Sequence, residues 1–157
     1  MQIYLLAVGT KMPAWVKQGY EEYANRMPPH CRLILKEIPP EKRGKNVNPS
    51  DIQQKEAEKI RQALPANCHI VALDGLGKIW TTEKLAERME DWMMQGPDIA
   101  LIIGGPDGLT RDFIKQVDEH WSLSNLTFPH PMVRVIVAEQ LYRAWTITEN
   151  HPYHRAG

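Results

Sequence analysis

The sequence predicts an α/β fold built on a mostly parallel sheet, and three observations lead there. Short apolar runs recur along the chain, at residues 3–8, 69–73 and 99–103. Segments with apolar residues at helical spacing separate them. The run 99–103 is apolar throughout, the pattern of a strand buried on both faces, as parallel sheets require.

Residues 3–8 read as the first strand, ended by Gly9. Pro13 opens a helix in which Val16, Tyr20, Tyr23 and Met27 recur at helical spacing until Pro28 and Pro29 stop it. Residues 33–38 read as a second strand. The segment 39–49, PPEKRGKNVNP, is polar, locally basic and punctuated by Pro and Gly, hence an exposed loop. Its Lys42, Arg43 and Lys45 are either solvated or in contact with RNA. Ser50 with Gln53 makes a capping-box signature for a helix running to about Leu64. Residues 69–73 give a third strand, and Asp74-Gly75-Leu76-Gly77 a turn. Thr81 or Thr82 caps a helix with Leu85, Met89, Trp92 and Met93 on one face, ended by Gly96-Pro97. After the strand at 99–103, Thr110 caps a helix through about His120, and residues 123–128 form a short strand. Pro129-His130-Pro131 then makes a rigid corner before a long helix from Met132 to about Thr148.

A chain of 157 residues fits one domain spanning 1–157. Its hydrophobic fraction of 43% and charged fraction of 24% suit a folded protein rather than a disordered one. No apolar run approaches the roughly 20 residues needed to cross a membrane. The start, MQIYLLAVGTK, has no basic n-region, so no signal peptide is read and a cytoplasmic location is expected. Cys31 and Cys68 lack metal-like spacing and read as free thiols in a reducing compartment. Nineteen basic residues balance nineteen acidic ones. That argues against binding long nucleic acids by bulk electrostatics, but leaves room for docking on one structured RNA site.

Three loops follow strand ends, at 74–77, 104–108 and 126–131, where open α/β sheets bind ligands. The loop IGGPDG places Gly104, Gly105 and Gly108 directly after a buried strand. Its spacing is neither the dinucleotide fingerprint nor a phosphate loop. The tail Asn150-His151-Pro152-Tyr153-His154-Arg155 packs two imidazoles, a phenol and a guanidinium together. It is either a solvated polar end or a flap that supplies proton-transfer and phosphate-contacting groups. A zinc site from His130, His151 and His154 has no supporting Cys or H-E-x-x-H spacing, so no metal is expected. In the last helix, Val133, Val137, Leu141, Ala144 and Thr148 form a stripe that Ile136, Trp145 and Ile147 widen. Such a helix is buried on more than one side and is expected to meet a partner subunit. Arg134, Glu139, Tyr142 and Arg143 are its polar exceptions, either rim side chains or functional ones.

At these residues the sequence resembles a known family. LIIGGPDGL, WSLSNLTFPHPMVRVIVAEQLYRAW and the closing NHPYHR are similar to the bacterial 23S rRNA pseudouridine N3-methyltransferases. These are small members of the SPOUT class of S-adenosylmethionine-dependent enzymes. LLAVGTKMPAWV and EIPPEKRGKN also look like that family, so the resemblance covers nearly the whole chain. Its specific part is the block FPHP-x-x-R-x-x-x-x-E-Q-x-Y-R-A.

The resemblance implies a C-terminal trefoil knot, which general chain statistics would not suggest. It also implies a homodimer with S-adenosyl-L-methionine held in the knot. The implied cofactor residues are Leu73, Gly104, Gly105, Leu123, Ser124, Asn125, Leu126, Thr127 and Phe128, within a site spanning 73–130. Leu73, Leu123 and Leu126 would supply apolar walls. The implied reaction moves a methyl group to N3 of a pseudouridine in 23S rRNA of the assembled ribosome. Its proton must be removed, and His154 is the first candidate base or relay, with Glu139 the second. Tyr153 would stack on or hydrogen-bond the nucleobase, Arg155 would contact phosphate, and Arg143 would orient uracil carbonyls or hold RNA backbone. The alternatives are a SPOUT enzyme for another RNA, such as tRNA, and a ribosome-binding module without catalysis.

Overall fold

The computed structural model describes residues 1–155, with Arg155 described by its backbone alone. Five strands form one sheet: β1 (Ile3–Val8), β2 (Leu33–Ile38), β3 (His69–Ile79), β4 (Ile99–Ile103) and β5 (Glu119–Ser122). Their order is β2-β1-β4-β3-β5, and every pairing in it is parallel. Five α-helices connect and cover them: α1 (Ala14–Ala24), α2 (Pro49–Ala63), α3 (Thr82–Gln95), α4 (Arg111–Gln116) and α5 (His130–Thr148). Single 3-10 turns occupy Pro29–Cys31 and Pro152–Arg155.

Strand alternation sorts the apolar residues into two layers. Ile3, Leu5, Ala7, Val71, Leu73, Ile99, Leu101 and Ile103 face one side, where Tyr20, Leu85, Met89, Trp92, Val137 and Leu141 from α1, α3 and α5 meet them. Leu6, Val8, Ala100 and Ile102 face the other, against Ala57, Ile60 and Phe113 from α2 and α4. Helix α5 lies against both α1 and α3, which explains why its apolar surface wraps so much of its circumference. Both cysteines are free; Cys31 is buried, and burial pushes its thiol up to about 11.

The structure corrects four local expectations. Asn48, not Ser50, caps α2, its side chain accepting from Ser50 N at 2.9 Å, with Pro49 in the first turn. Residues 74–77 do not end β3 but bulge within it, so that Leu73 and Lys78 both oppose Trp121. Trp80 stacks on Trp121 at 5.0 Å and 13°, closing the sheet over the bulge. A Cβ at Gly77 would sit 2.7 Å from the Trp121 backbone, so only glycine fits there.

Helix α4 stops at Gln116 rather than His120, and the last strand is 119–122 rather than 123–128. Tertiary bonds draw this segment to the sheet edge. Asp118 accepts from Ile70 N at 2.8 Å. The Glu119 carboxylate receives His69, Arg88 and Trp92 at 2.6, 2.7 and 2.8 Å. Burial alone would raise the Glu119 carboxyl, but these three donors outweigh it and hold it below the usual range. The fourth correction concerns Arg134, which is 1% exposed and not a rim side chain.

Candidate functional site

The parallel strands bring Leu73, Ile103 and Ser122 side by side, and the bulge after Leu73, the glycine loop and the loop after Ser122 line a cleft of about 350 Å³. All the cofactor residues expected from sequence line it: Leu73, Gly104, Gly105 and the run Leu123, Ser124, Asn125, Leu126, Thr127 and Phe128. Asp74, Pro106, Leu109, His130 and Val133 complete much of the wall. Leu126 is 72% exposed, so it stands at the rim while Leu73 and Leu123 make the apolar walls. The segment 123–128 is a loop fixed by its own bonds: Ser122 Oγ donates to Ser124 O at 3.1 Å, and Ser124 Oγ accepts from Leu126 N at 2.9 Å. Its backbone groups are thereby free of a strand ladder and available to a ligand.

The glycine loop folds on itself, Gly108 N donating to Gly105 O at 2.8 Å. A Cβ at Gly105 would lie 2.8 Å from Glu56 Oε1 and 3.2 Å from an Arg43 guanidinium nitrogen. The loop therefore packs directly on a buried carboxylate. Glu56 Oε2 accepts from Glu41 N at 3.0 Å, and Arg43 reaches both Glu56 (3.6 Å) and Asp107 (3.0 Å). The side chain of Gln53 donates to the Asp107 carbonyl instead of capping its helix. Arg43 thus ties the basic loop to the glycine loop, while Lys42 and Lys45 stay exposed.

At the head of α5, His130 Nε2 donates to the Val8 carbonyl at 2.7 Å. One turn later, Arg134 donates to Gly9 O at 2.7 Å and pairs with Glu37 at 2.6 Å. Both side chains pin the end of β1, where Gly9 has φ +136°. Burial and then the Arg134 charge push the His130 imidazole below its ordinary value, against the pull of the Val8 bond and of Glu56. Sequence reading considered His130 only as a metal ligand; the signal that points to it is the His-x-x-x-Arg spacing, which aligns both side chains on one helix face.

The tail forms a second centre. Tyr153 Oη donates to Glu139 Oε2 at 2.8 Å, and Arg143 binds the same oxygen through Nε at 3.0 Å and Nη2 at 2.8 Å. Gln140 donates to Glu139 Oε1 at 2.8 Å. The Arg143 guanidinium lies 5.0 Å from the Tyr153 ring centre, and Tyr142 meets that ring edge-on at 4.8 Å. Burial first, then the Glu139 carboxylate, push the Tyr153 phenol well above its ordinary value, so it acts as a donor. Glu139 is an acceptor hub with its oxygens engaged. His154 Nδ1 is buried without a hydrogen-bond partner among the described residues. The side chain of Arg155 lies outside the described residues.

Neither Tyr153 nor His154 lines the cleft. Glu139 sits roughly 13 Å along α5 from His130, at 1.5 Å per residue. Among the described residues no group of three or more His, Cys, Asp and Glu side chains converges as a metal site. No described helix is long and apolar enough to cross a membrane.

Comparison with known proteins matches this architecture. The family model described as "Predicted SPOUT methyltransferase" matches residues 1–154. The chain is 54% identical to the ribosomal RNA large subunit methyltransferase H of Thioalkalivibrio sulfidiphilus, over 99% of each chain. It is also 54% identical to the protein of that name from Methylococcus capsulatus, over 99% of this chain and 100% of that one. Among solved structures, a methylase family protein of Haemophilus influenzae superimposes with a TM-score of 0.57 at 13% identity, covering 96% of this chain and 69% of that one. A Legionella pneumophila protein of methyltransferase type, solved with bound SAM, gives 0.52 at 12% identity, over 92% and 66%. Those two likenesses are of fold. The chain belongs to the SPOUT methyltransferase family.

Proposed function

We propose that the protein transfers a methyl group from S-adenosylmethionine to N3 of a pseudouridine in 23S rRNA of the assembled ribosome, in the cytoplasm and as a homodimer. The observation that carries this reading is the convergence of the expected cofactor residues in one strand-end cleft. The name carried by full-length relatives supports the rRNA target.

The residues present fit the cofactor. Gly104, Gly105 and residues 123–128 offer backbone donors and acceptors for an adenine edge, and Leu73 and Leu123 offer apolar walls. Bound there, S-adenosylmethionine would supply an electrophilic methyl group on sulfur. The protein's part is to hold the attacking nitrogen in line with that methyl and to dispose of its proton.

The tail belongs to the RNA side of the reaction. Tyr153 commits its hydroxyl hydrogen to Glu139, which leaves its oxygen as an acceptor and its ring, held by Arg143 and Tyr142, to stack on a nucleobase. Arg143 and Arg155 are proposed to meet uracil carbonyls and phosphate. Because the tail stands away from its own cleft, we assign it to the cleft of the second protomer. The exposed Trp15 of α1 and Met132 of α5 support a subunit interface on these helices. The trefoil threading of the C-terminal segment belongs to the same proposal.

Two measurements test it together. Calorimetry is expected to show one S-adenosylmethionine per protomer. Mass mapping of rRNA from cells lacking the protein is expected to show one pseudouridine short of a methyl group, restored by re-expression. Unchanged rRNA with a methyl lost from tRNA would replace the target. Absence of cofactor binding would leave a binding module.

A further inference from the structure

We propose that His130 is the proton acceptor of the methyl-transfer site, its Nδ1 taking the proton that leaves the attacking nucleobase nitrogen. This rests on the proposed reaction and names the residue that completes it. The geometry begins with the tautomer. The Val8 carbonyl can only accept, so Nε2, 2.7 Å away, must carry the hydrogen. In the neutral ring Nδ1 then holds the lone pair. No described residue donates to Nδ1, and it is not among the buried unpartnered atoms, so a ligand can reach it. The ring forms part of the cleft wall, together with Gly104 and Gly105.

Within the cleft wall the titratable groups are His130 and Asp74. Asp74 already accepts from Leu76 N at 2.8 Å and lies 3.3 Å from His120 Nε2. Both contacts fall on Asp74 Oδ1; His130 is the imidazole of the pair, and its tautomer is fixed by the Val8 carbonyl. The charged groups around the ring are Arg134 on its own helix, Glu56 on α2 and Arg43 on the basic loop. Burial and the two arginines favour the neutral ring, so the accepting form is present at neutral pH.

The step balances. As the N3 lone pair forms a bond to the methyl carbon, the methyl–sulfur bond breaks and its electrons remain on sulfur as a thioether. The N3–H bond breaks, and the proton moves to Nδ1 and from there to solvent. Bond formation to carbon draws electron density from the nitrogen and acidifies its proton, so a weak base suffices late in the transfer.

Two conservative variants separate chemistry from support. His130→Gln can keep the Nε2-type donor to Val8 while removing the acceptor; His130→Asn keeps a polar atom near the Nδ1 position while giving up the Val8 bond. For His130→Gln, kcat on ribosomes is expected to fall about 10²–10⁴-fold. S-adenosylmethionine affinity should stay within about twofold, and the acidic limb of the kcat profile should vanish. His130→Asn lacks both the basic nitrogen and the Val8 bond, so its turnover is expected to fall at least as far. Near-wild-type turnover in His130→Gln with loss confined to His130→Asn, or an acidic limb that survives in His130→Gln but disappears in His154→Ala, would overturn the proposal. Histidine ¹⁵N spectra of the wild-type protein decide it if the variants do not fold. An unprotonated Nδ1 whose titration tracks the acidic limb supports the assignment, and an Nδ1 protonated at neutral pH contradicts it. If the wild-type protein methylates no rRNA, the proposed reaction fails; if it does and His130→Gln is unimpaired, this inference alone fails.

Discussion

The strand-end cleft and the C-terminal tail are built by different physics. The cleft is made mostly of backbone: glycines packed against Glu56, a self-bonded loop at 123–128, and strand ends fixed by the sheet. The tail is made of side chains, with Glu139 gathering Tyr153, Arg143 and Gln140 around one carboxylate. Backbone sites bind by shape and fail through steric change. Side-chain clusters act through charge and hydrogen bonds, and fail through loss of a single atom.

The sharpest break in that comparison is expected from Gly105→Val. Its Cβ alone would meet Glu56 Oε1 at 2.8 Å, so the glycine loop must move. Calorimetry should show S-adenosylmethionine affinity reduced by about 100-fold, or about 2.7 kcal/mol, with the tail cluster untouched. Tyr153→Phe should do the opposite. Removing the hydroxyl 2.8 Å from Glu139 is expected to lower turnover about tenfold, since a hydrogen bond to a charged group is worth about 1.5–3 kcal/mol and this one is partly exposed. Cofactor affinity should be unchanged; a parallel loss would merge the two centres into one.

Acidity gives a smaller effect, with a definite sign. The folded protein lowers the His130 value below the ordinary 6.5, so the unfolded chain binds more protons in the interval between the two. The contribution of His130 to stability is full above that interval and falls as pH drops through it. Thermal melts between neutral and mildly acidic pH should show this slope in the wild type and a shallower one in His130→Gln. An equal slope in both would locate the effect elsewhere. Weakest of all should be Lys42→Ala with Lys45→Ala, whose side chains are exposed. Ribosome binding should weaken a few-fold and its salt dependence should flatten by about one to two counterions. Arg43→Ala should differ by lowering cofactor affinity as well, because Arg43 latches Asp107 of the glycine loop.

Much of this division was legible in the sequence. Strands 3–8 and 99–103 announced themselves by continuous apolar runs, and the cleft residues by their place after strand ends and by family resemblance. What escaped depended on distant partners. Residues 117–120 look helical in isolation, but Asp118 and Glu119 are drawn to the sheet edge by Ile70, His69, Arg88 and Trp92. The bulge at 74–77 needs Trp80 stacked on Trp121, a pair separated along the chain. Arg134 stayed open between a rim and a functional side chain because its acceptors, Gly9 and Glu37, lie far away in sequence. His130 went unrecognised as an acceptor for the same reason, since its tautomer is set by the Val8 carbonyl.

The central claim is that cofactor binding resides in the cleft while transfer needs the tail as well. A chain truncated after Asn150 tests it in one comparison of calorimetry with methyl transfer to ribosomes. S-adenosylmethionine affinity is expected within about threefold of the full chain, with turnover reduced by at least about 10³-fold. Turnover that survives the truncation, or cofactor affinity that collapses with it, would rule out this division between cleft and tail.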